Sequence, residues 1–287
     1  MELTDNRMLD VIVAALREDI GLGDVTTECI IPTDLAGTGM FIAKANGILS
    51  GLDVAAAVLH LVDDTLVLER HLRDGMPLLR GARIATVRGS IASMLTAERT
   101  ALNFMQRMSG IATMTSAFVH LCEGTQAGIY DTRKTAPGLR AFDKQAVRDG
   151  RGRNHRFGLD DMVLIKDNHV AAAGGVREAV ELVRARRGSG TELKVELEVD
   201  TMTQLVAVLE CEGIDMILLD NFMLDEMEMA VRLIRQRRPE IQIEASGNVN
   251  EQTVRDIAGT GVDRISIGAL THSVRALDIS FDVEMLP

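Results

Sequence analysis

Basic residues follow two short apolar segments in the second half of the chain, where they could bind an anionic ligand. Arg133 and Lys134 come just after GIYD, and Lys166 ends MVLIK. The stretch 133–166 contains nine Lys or Arg residues and four Asp residues, which gives it a local charge of +5 within a chain of net charge −11. Guanidinium and ammonium groups bind carboxylates and phosphates through charge-assisted hydrogen bonds. This concentration of positive charge therefore predicts a small ligand that carries several negative charges.

Carboxylates and small residues follow the next apolar segments. LKVELEV contains Glu196 and Glu198, and MILLD ends in Asp220. Glu198 and Asp220 could hold a hard cation or ribose hydroxyl groups, and they could equally pair with the nearby lysines and arginines. IQIEAS leads into Ser246–Asn248, and RISIG ends in Gly268. Each of these small-residue turns precedes a predicted helix, whose exposed amides could bind a phosphate group.

The spacing of these segments predicts the elements that position them. Six short apolar strands alternate with amphipathic helices from residue 128 onward, namely GIYD, MVLIK, LKVELEV, MILLD, IQIEAS and RISIG. This alternation predicts a parallel sheet, and ligands of parallel α/β folds bind beyond the carboxyl ends of the strands. Six units in about 140 residues are fewer than the eight of a complete barrel, which typically needs about 250 residues. The pattern leaves an incomplete α/β barrel and an open doubly wound sheet as alternatives.

The first half of the chain predicts a smaller α+β layer. Apolar residues recur at helical spacing from Leu9 to Leu16. GTGMFIAKA, TLVLERHL and ARIATVRGS have the composition of strands, and the helical segment GLDVAAAVLHLVDD lies between the first two. Two helical runs follow, SMLTAERTALNFMQRM and IATMTSAFVHLCE. The Ser109-Gly110 pair between these runs predicts a helix break and a domain boundary.

Length and composition exclude several classes of protein. With 287 residues, 46% hydrophobic and 25% charged, the chain has the profile of a globular protein rather than a disordered, collagen-like or coiled-coil one. The net charge of −11 and the lack of Trp argue against binding to nucleic acid, which needs a broad cationic surface. Three widely spaced cysteines, no signal peptide and no apolar stretch of roughly 20 residues predict a cytoplasmic protein without membrane association.

Longer motifs connect the chain to a known family. DTRKTAPGLR, GRGRNHRFGLDDMVLIKDNH, KVELEVD, ILLDN, EASGNV and GVDRISIGALTHSVRALDIS occur in that order, and EDIGLGDVTT and AERTALNFMQRMSGIAT precede them. The sequence resembles the quinolinate phosphoribosyltransferases over nearly its whole length. The resemblance implies an α/β fold in which an incomplete, seven-stranded parallel α/β barrel (residues 111–271) follows a small open α/β sandwich domain (residues 1–110) that the C-terminal segment 272–287 joins.

The resemblance also implies an enzymatic activity. Members of this family transfer a phosphoribosyl group from phosphoribosyl pyrophosphate to the ring nitrogen of quinolinate and remove a carboxylate. The products are nicotinate mononucleotide, pyrophosphate and CO2, formed in de novo NAD biosynthesis with Mg²⁺. The family forms homodimers in which each barrel faces the partner's N-terminal domain, so Arg99 of this chain would enter the partner's site. The sequence leaves dimer and hexamer open.

Residue roles follow from the resemblance motif by motif. Lys134, Lys166, Glu198 and Asp220 would be catalytic, and Glu198 and Asp220 would also hold Mg²⁺. Glu196 is an alternative to Glu198, because strand alternation places both side chains on one face. The residues that would bind the substrates are Arg99, Thr132, Arg133, Lys134, His155, Arg156, Lys166, Glu198, Asp220, Ser246, Gly247, Gly268 and His272.

Three other activities remain as alternatives. A related group of molybdenum-locus proteins shares the fold and a DTRKT-like motif, although the intact NHR and IKDNH segments favour the quinolinate enzymes. A Schiff-base aldolase would use Lys166, since the end of a barrel strand is where such a lysine is often found. A non-catalytic binder of phosphorylated metabolites would use the same cations, because a fold does not determine a function.

Overall fold

The computed structural model describes residues 6–187 and 193–285. Backbone contacts group the described residues into two units. The first unit comprises the residues up to 116, residues 134–151 and the residues from 269 onward, and the second comprises 117–133 and the described part of 152–268. In the division predicted from the sequence, the first domain instead ends at residue 110, and residues 134–151 belong to the barrel. Residues 1–5 and 286–287 of the predicted first domain lie outside the described residues.

Helices and strands alternate irregularly in the first part of the chain. In chain order they are α1 (Asn6–Ile20), α2 (Val25–Ile30), β1 (Ala36–Ala43), β2 (Gly47–Ile48), α3 (Leu52–Val62), β3 (Val67–Arg70), β4 (Pro77–Leu78), β5 (Arg83–Ser90) and α4 (Ile91–Leu121). The predicted first helix and the three predicted strands are confirmed.

Strands and helices then follow one another more regularly. In chain order they are β6 (Gly128–Tyr130), α5 (Arg140–Asp149), β7 (Val163–Ile165), α6 (Asp167–Ala173), α7 (Val176–Arg187), β8 (Val195–Val199), α8 (Met202–Leu209), β9 (Met216–Asp220), α9 (Leu224–Arg237), β10 (Gln242–Ser246), α10 (Val254–Gly259), β11 (Arg264–Ser266), α11 (Ala269–His272) and β12 (Ile279–Met285). All six predicted strands of this part, β6 to β11, are confirmed.

An antiparallel sheet forms the centre of the first unit. Its strand order is β12-β1-β5-β3, so the last strand of the chain pairs with the first. Alternate residues of β1 are buried. Phe41 of β1 packs against Phe281 of β12 with 4.5 Å between the ring centroids. A side chain at Gly39 would overlap the Phe281 ring, which explains a glycine within this strand.

One continuous helix replaces the two that the sequence predicts. Helix α4 runs through Ser109 and Gly110, so the predicted break at this pair is wrong. The Ser109 hydroxyl accepts a hydrogen bond from the Ser50 amide and donates one to the Ser50 carbonyl, both of 3.0 Å. A Cβ at Gly110 would overlap the carbonyl oxygen of Arg275. These two residues are therefore small because backbone segments of the first unit approach the helix closely, not because the helix ends.

A parallel sheet forms the centre of the second unit. Its strand order is β6-β11-β10-β9-β8-β7, and every neighbouring pair is parallel. The family resemblance implied seven strands, whereas residues 6–187 and 193–285 form six in this sheet and a one-residue parallel bridge between Tyr130 and Arg153 at the outer edge of β6. No backbone pairing joins β7 to that edge within the described residues. The predicted fold class, a mixed α/β chain with an incomplete parallel barrel, is confirmed.

Both faces of the parallel sheet are covered. Ile217, Leu218 and Leu219 are consecutive residues of β9 that point to alternate sides of the sheet, and all three are buried. Such continuous apolar strands are typical of parallel sheets with helices on both faces. No helix in residues 6–187 or 193–285 has the length and hydropathy that crossing a membrane requires.

The packing of α4 leads to a prediction about Gly110→Ala. In an exposed helix this change stabilises by up to about 1 kcal/mol. At Gly110 the new methyl group would meet the Arg275 carbonyl, and overpacking of this kind costs about 1–3 kcal/mol. We expect a lower free energy of unfolding, measured by denaturant titration. The control is Gly259→Ala in α10, where no atom lies within 4 Å of the new Cβ. Equal stabilisation of both variants would contradict this account of the helix.

Candidate functional site

The carboxyl ends of neighbouring strands of the second unit line an open cavity of about 240 Å³. Glu198 near the end of β8 and Asp220 at the end of β9 both face this cavity. The other residues that line it are Asp167, Val170, Ala171, Asp200 and Gln204. Lys166, just after β7, forms an ion pair with Glu198. The predicted convergence of polar residues at this edge of the sheet is therefore found for Lys166, Glu198 and Asp220.

The start of α6 positions Lys166. Its amide donates a hydrogen bond to Nδ1 of His169 (3.0 Å), and its carbonyl accepts one from the His169 amide (2.8 Å). These bonds fix the backbone, while the side chain remains 43% exposed. The Lys166 side chain is engaged by the Glu198 carboxylate, whereas a Schiff-base lysine must present a free amine to its carbonyl substrate. This pairing disfavours the aldolase alternative.

Glu196 and Glu198 lie on one face of β8 but at different depths. Glu196 is fully buried, whereas the side chain of Glu198 is 14% exposed and lines the cavity. Strand alternation explains the shared face. Depth distinguishes the two glutamates, because only Glu198 is open to a ligand at the end of the strands.

Glu196 belongs to a buried cluster of charged side chains within the sheet. Its Oε2 lies 3.1 Å from Nε2 of His155, and Oε1 of Glu244 lies 3.4 Å from the same nitrogen. Nε of Arg264 lies 3.1 Å from the other oxygen of Glu244. The Arg264 guanidinium also covers the Tyr130 ring, 4.0 Å from its centroid. Two buried carboxylates are thus compensated by an arginine and a histidine, as buried charges must be.

The loop that carries His155 is fixed from both sides. Asp131, fully buried at the end of β6, accepts hydrogen bonds from the His155 amide (2.8 Å) and from the side chain of Asn154. Nδ1 of His155 accepts a hydrogen bond from the Arg156 amide (2.8 Å), and the Arg156 guanidinium donates one to the carbonyl of Met162 (3.1 Å). These contacts hold Arg156 in a defined orientation.

Opposing effects act on the protonation of His155. Burial alone would lower its pKa, but Glu196 and Glu244 outweigh burial and raise the pKa of His155 to about 9. The Arg156 amide opposes a proton on Nδ1. The oxygens of Glu196 and Glu244 lie 3.1 Å and 3.4 Å from Nε2, and their charge outweighs the other effects. The raised pKa favours the protonated form of His155 at neutral pH.

The pKa values of the two glutamates of this cluster shift in opposite directions. Burial, and then the nearby charge of Glu244, raise the pKa of Glu196. Burial has the same effect on Glu244, but His155, Arg264 and Ser266 outweigh it and lower the pKa of Glu244. These shifts therefore favour the charged form of Glu244 over that of Glu196.

Two groups of residues offer ligands for a metal ion. His155, Glu196 and Glu244 have ligand atoms within 4.8 Å of one another, but Arg264 and the imidazolium already supply the positive charge there. Glu198 and Asp220 instead face an open cavity that further carboxylates also line. Oxygen donors with room for water are what Mg²⁺ prefers. The donor set of the cavity fits Mg²⁺, and the buried cluster does not.

Other predicted residues of the second unit lie at the same edge of the sheet. Thr132 and Arg133 follow β6 and are half-buried. Ser246 ends β10, and Gly247 continues into a left-handed turn with φ +88°. Gly268 follows β11 and precedes α11. Because all six strands are parallel, their carboxyl ends bring these residues to one side of the sheet.

Three predicted residues belong to the first unit. Arg99 on α4 has a 57% exposed side chain and pairs with its neighbour Glu98 at 3.7 Å. The Lys134 carbonyl accepts a hydrogen bond from Thr271, which positions its backbone. His272 ends α11, is exposed, and has its Nδ1 2.8 Å from the Ser273 hydroxyl. Because all three residues lie in the first unit, the substrate-binding and catalytic roles predicted for them stay predictions.

Sequence reasoning assigned no role to several residues that support the site. Glu244 and Arg264 are charged side chains inside the apolar segments IQIEAS and RISIG, and this interruption of the pattern is the signal that could have marked them. The sequence shows Asp131 only as the last residue of the predicted strand GIYD. Its full burial, which the sequence does not show, is what identifies it as a structural acceptor.

Comparison with known proteins agrees with this geometry. Residues 24–109 match the family description "Quinolinate phosphoribosyl transferase, N-terminal domain", and residues 111–282 match its C-terminal domain. The chain belongs to the quinolinate phosphoribosyltransferase family. It is 47% identical over 278 residues to the nicotinate-nucleotide pyrophosphorylase (carboxylating) of Mycobacterium leprae, with 96% of each chain covered.

Other members of the quinolinate phosphoribosyltransferase family show the same extent of similarity. The quinolinate phosphoribosyltransferase (decarboxylating) 1b of Nicotiana tabacum is 44% identical over 290 residues, which cover 96% of this chain and 81% of that protein. The crystal structure of NadC from Streptococcus pyogenes superposes with a TM-score of 0.93 at 39% identity, and both chains are covered completely. The similarity to this family therefore extends over both units rather than over one shared domain.

The buried cluster leads to a prediction about pH and stability. The pKa of His155 is about 9 in the folded protein and about 6.5 in an unfolded chain. Its contribution to stability is therefore complete below pH 6.5 and is lost as the pH rises from 6.5 to about 9. We expect the free energy of unfolding to fall over this range, and an NMR titration to show His155 protonated at pH 7.

The variant Glu244→Gln tests whether the Glu244 carboxylate helps to raise the pKa of His155. Removing this carboxylate leaves Arg264 without its buried partner, which costs about 3–5 kcal/mol, and should reduce the loss of stability between pH 6.5 and 9. The matched control is Glu240→Gln, which removes the exposed partner of Arg238 and should leave stability unchanged. A His155 pKa at or below 6.5, or the same pH dependence in Glu244→Gln, would refute the assignment.

Proposed function

We propose that this chain transfers the phosphoribosyl group of phosphoribosyl pyrophosphate to the ring nitrogen of quinolinate and removes the adjacent carboxylate. The products are nicotinate mononucleotide, pyrophosphate and CO2, in the de novo biosynthesis of NAD. The observation that carries this proposal is the arrangement of Lys166, Glu198 and Asp220 at one cavity beyond the strand ends. It occurs in a chain that is similar to nicotinate-nucleotide pyrophosphorylases over its whole length.

Quinolinate presents two carboxylates, which match the positive charge of the site. Thr132, Arg133 and Arg156 lie on the loops that follow β6 and precede β7, and Lys134 continues the first of these loops. Guanidinium groups orient planar carboxylates through paired hydrogen bonds. Arg133, Arg156, Lys134 and Lys166 are the groups that would bind quinolinate.

His155 has a different part in this proposal from the one that the family resemblance implied. Its Nε2 faces Glu196 and Glu244, and its Nδ1 faces the Arg156 amide. Both ring nitrogens are thus engaged within the protein. His155 would therefore assist quinolinate binding indirectly, by fixing the loop that carries Arg156 against Glu196 and Glu244.

The phosphoribosyl donor would bind to the remaining residues of the edge. Glu198 and Asp220 are the residues that would hold Mg²⁺ with the pyrophosphate and the ribose, and bound Mg²⁺ would stabilise the negative charge of the leaving pyrophosphate. Glu198 is favoured over Glu196, because Glu196 is fully buried. The 5′-phosphate would bind to backbone amides at Ser246, Gly247 and Gly268, and to His272.

The reaction needs positioning and charge stabilisation more than acid–base chemistry. The ring nitrogen attacks C1 of the ribose as the bond from C1 to the pyrophosphate oxygen breaks. Positive charge develops on the ribose, and the carboxylates of Glu198 and Asp220 stabilise it. The ribosylated ring is then a pyridinium, whose positive nitrogen stabilises the electron pair that remains at C2 when the bond to the carboxylate breaks and CO2 leaves. C2 then takes a proton from water. Holding the two substrates in line is the main contribution of the protein.

A homodimer would complete the site. In this proposal Arg99 reaches the quinolinate site of the partner subunit. Its side chain is 57% exposed, and its ion pair with the adjacent Glu98 is long, at 3.7 Å. Exposed pairs of this kind contribute little to stability, so Arg99 could exchange this contact for a bound carboxylate at small cost.

We also propose that the protein works in the cytoplasm. Its three cysteines are all free thiols, with Cys122 and Cys211 buried and Cys29 exposed. Unpaired cysteines are typical of proteins in reducing compartments. Several plant relatives are named as mitochondrial or chloroplastic, so fractionation of the source cells would test this assignment.

The reaction can be tested directly with the purified protein. We expect nicotinate mononucleotide from quinolinate, phosphoribosyl pyrophosphate and Mg²⁺, and none when nicotinate replaces quinolinate or when a chelator removes the metal. Lys134→Ala should lower kcat/KM about 100-fold or more, because it removes a charge that acts on the reacting groups. The control Lys44→Ala removes a lysine that pairs with Asp282 at 3.9 Å and should remain fully active.

Other outcomes of this assay identify the alternatives. No product from folded protein would overturn the proposal and favour the molybdenum-locus relatives. Trapping of a carbonyl substrate on Lys166 by borohydride would establish the aldolase. Binding of both substrates without turnover would leave only a binding function.

Complementation between variants tests the role of Arg99. Arg99→Ala should reduce activity about 10- to 100-fold, because it removes a hydrogen bond to a charged group. Co-expression with the inactive Lys166→Ala variant should restore about a quarter of wild-type activity, since each mixed dimer has one complete site. Arg88→Ala, which removes an equally exposed arginine paired with Glu69, should have no effect. A co-expressed mixture that stays inactive would show that Arg99 does not act across the dimer.

A further inference from the structure

Two asparagines at the ends of adjacent strands share an uncommon backbone conformation. Asn221 directly follows β9 with φ +56°, and Asn248 lies two residues beyond the end of β10 with φ +52°. Positive φ values are rare for residues other than glycine, and asparagine is among the few that tolerate them. Two such residues on neighbouring strands indicate that this part of the edge has a specific geometry to maintain.

The side chain of Asn221 is the centre of that geometry. Its Nδ2 donates a hydrogen bond to Oδ2 of Asp220 (2.9 Å), and its Oδ1 accepts one from Nδ2 of Asn248 (3.0 Å). Its backbone amide donates a third to the carbonyl of Ser246 (2.9 Å). One residue thus connects the Asp220 carboxylate to the turn Ser246–Asn248.

Gly247 makes this connection possible. A Cβ at this glycine would overlap Oδ1 of Asn221 and would lie 3.0 Å from its backbone nitrogen. The φ of Gly247, +88°, is also one that residues with side chains rarely adopt. The absence of a side chain at residue 247 therefore lets the Asn221 carboxamide lie against the turn.

We infer that Asn221 is a positioning residue that fixes Asp220 relative to the turn Ser246–Asn248. This inference rests on the proposed function, in which Asp220 serves the ribose and the metal-bound pyrophosphate and the turn binds the 5′-phosphate. These groups belong to one molecule, the phosphoribosyl donor. A rigid connection between their binding residues sets the distance that the donor must span, and it has no corresponding effect on quinolinate.

A purely structural role for Asn221 predicts no difference between the two substrates. If the carboxamide only ended β9, its loss would lower the stability of the fold or affect both substrates alike. A positioning role instead predicts a separation between the two substrates, in which the KM for the donor changes and the KM for quinolinate does not.

Asn221→Gly is the variant that tests this separation. Glycine keeps the left-handed backbone and removes only the carboxamide. We expect the KM for phosphoribosyl pyrophosphate to rise about 10-fold and the KM for quinolinate to change less than about 2-fold, since both side-chain hydrogen bonds of Asn221 are lost. Calorimetry without turnover should show the same weakening for phosphoribosyl pyrophosphate with Mg²⁺ and unchanged affinity for quinolinate alone.

Two further variants complete the design. Asn248→Gly removes the outer hydrogen bond but leaves the bond from Asn221 to Asp220, and should raise the donor KM about 3-fold. It serves as the test if Asn221→Gly does not fold. Asn46→Gly, a control, removes the asparagine oxygen that accepts a hydrogen bond from the exposed Arg80 amide and should match the wild type.

The outcomes separate this inference from the proposed function. Wild-type protein that fails to convert quinolinate overturns the function. Wild-type turnover, together with an unchanged donor KM in Asn221→Gly and Asn248→Gly, overturns only the positioning role. Equal increases in both KM values would also overturn it, because they indicate general disturbance of the site.

Discussion

Burial of two carboxylates within the parallel sheet is the constraint on which the rest of the site depends. Glu196 and Glu244 lie on the two strands that flank β9, and both are fully buried. A buried charge without a partner costs several kcal/mol, so cations must be brought to it. Arg264 comes from β11, and His155 comes from the loop that precedes β7. The charge requirement of the core therefore determines where this loop lies.

That loop and the ends of the strands position the ligand-binding groups. Contacts with Glu196 and Glu244 hold His155 in the core, and Arg156 follows it directly in the chain. Asp131, at the end of β6, closes the loop from the other side. At the edge of the sheet, Glu198 pairs with Lys166, and both Glu198 and Asp220 face the open cavity. A deep layer of paired charges thus supports a shallow layer that remains available to a ligand.

The sequence predicts the shallow layer better than the deep one. Alternating apolar strands and helices locate the strand ends, and with them Lys166, Glu198 and Asp220. The same alternation places Glu196 and Glu198 on one face but gives no depth, because depth depends on how all six strands are staggered. Ser109 and Gly110 show the same limit. Their composition is typical of a helix end, and only the distant segments around Ser50 and Arg275 reveal why small residues are needed there.

Motifs of this family therefore combine residues with two physically different tasks. NHR contains Asn154 and His155, which satisfy the buried acids Asp131, Glu196 and Glu244, beside Arg156, which is oriented by them. Similarity between sequences marks all of these residues equally. Loss of activity on substitution does not separate them either, because a disturbed core also disturbs the edge. Stability does separate them, because buried charges hold the fold together, whereas a carboxylate at the cavity contributes little to folding and acts on the ligand.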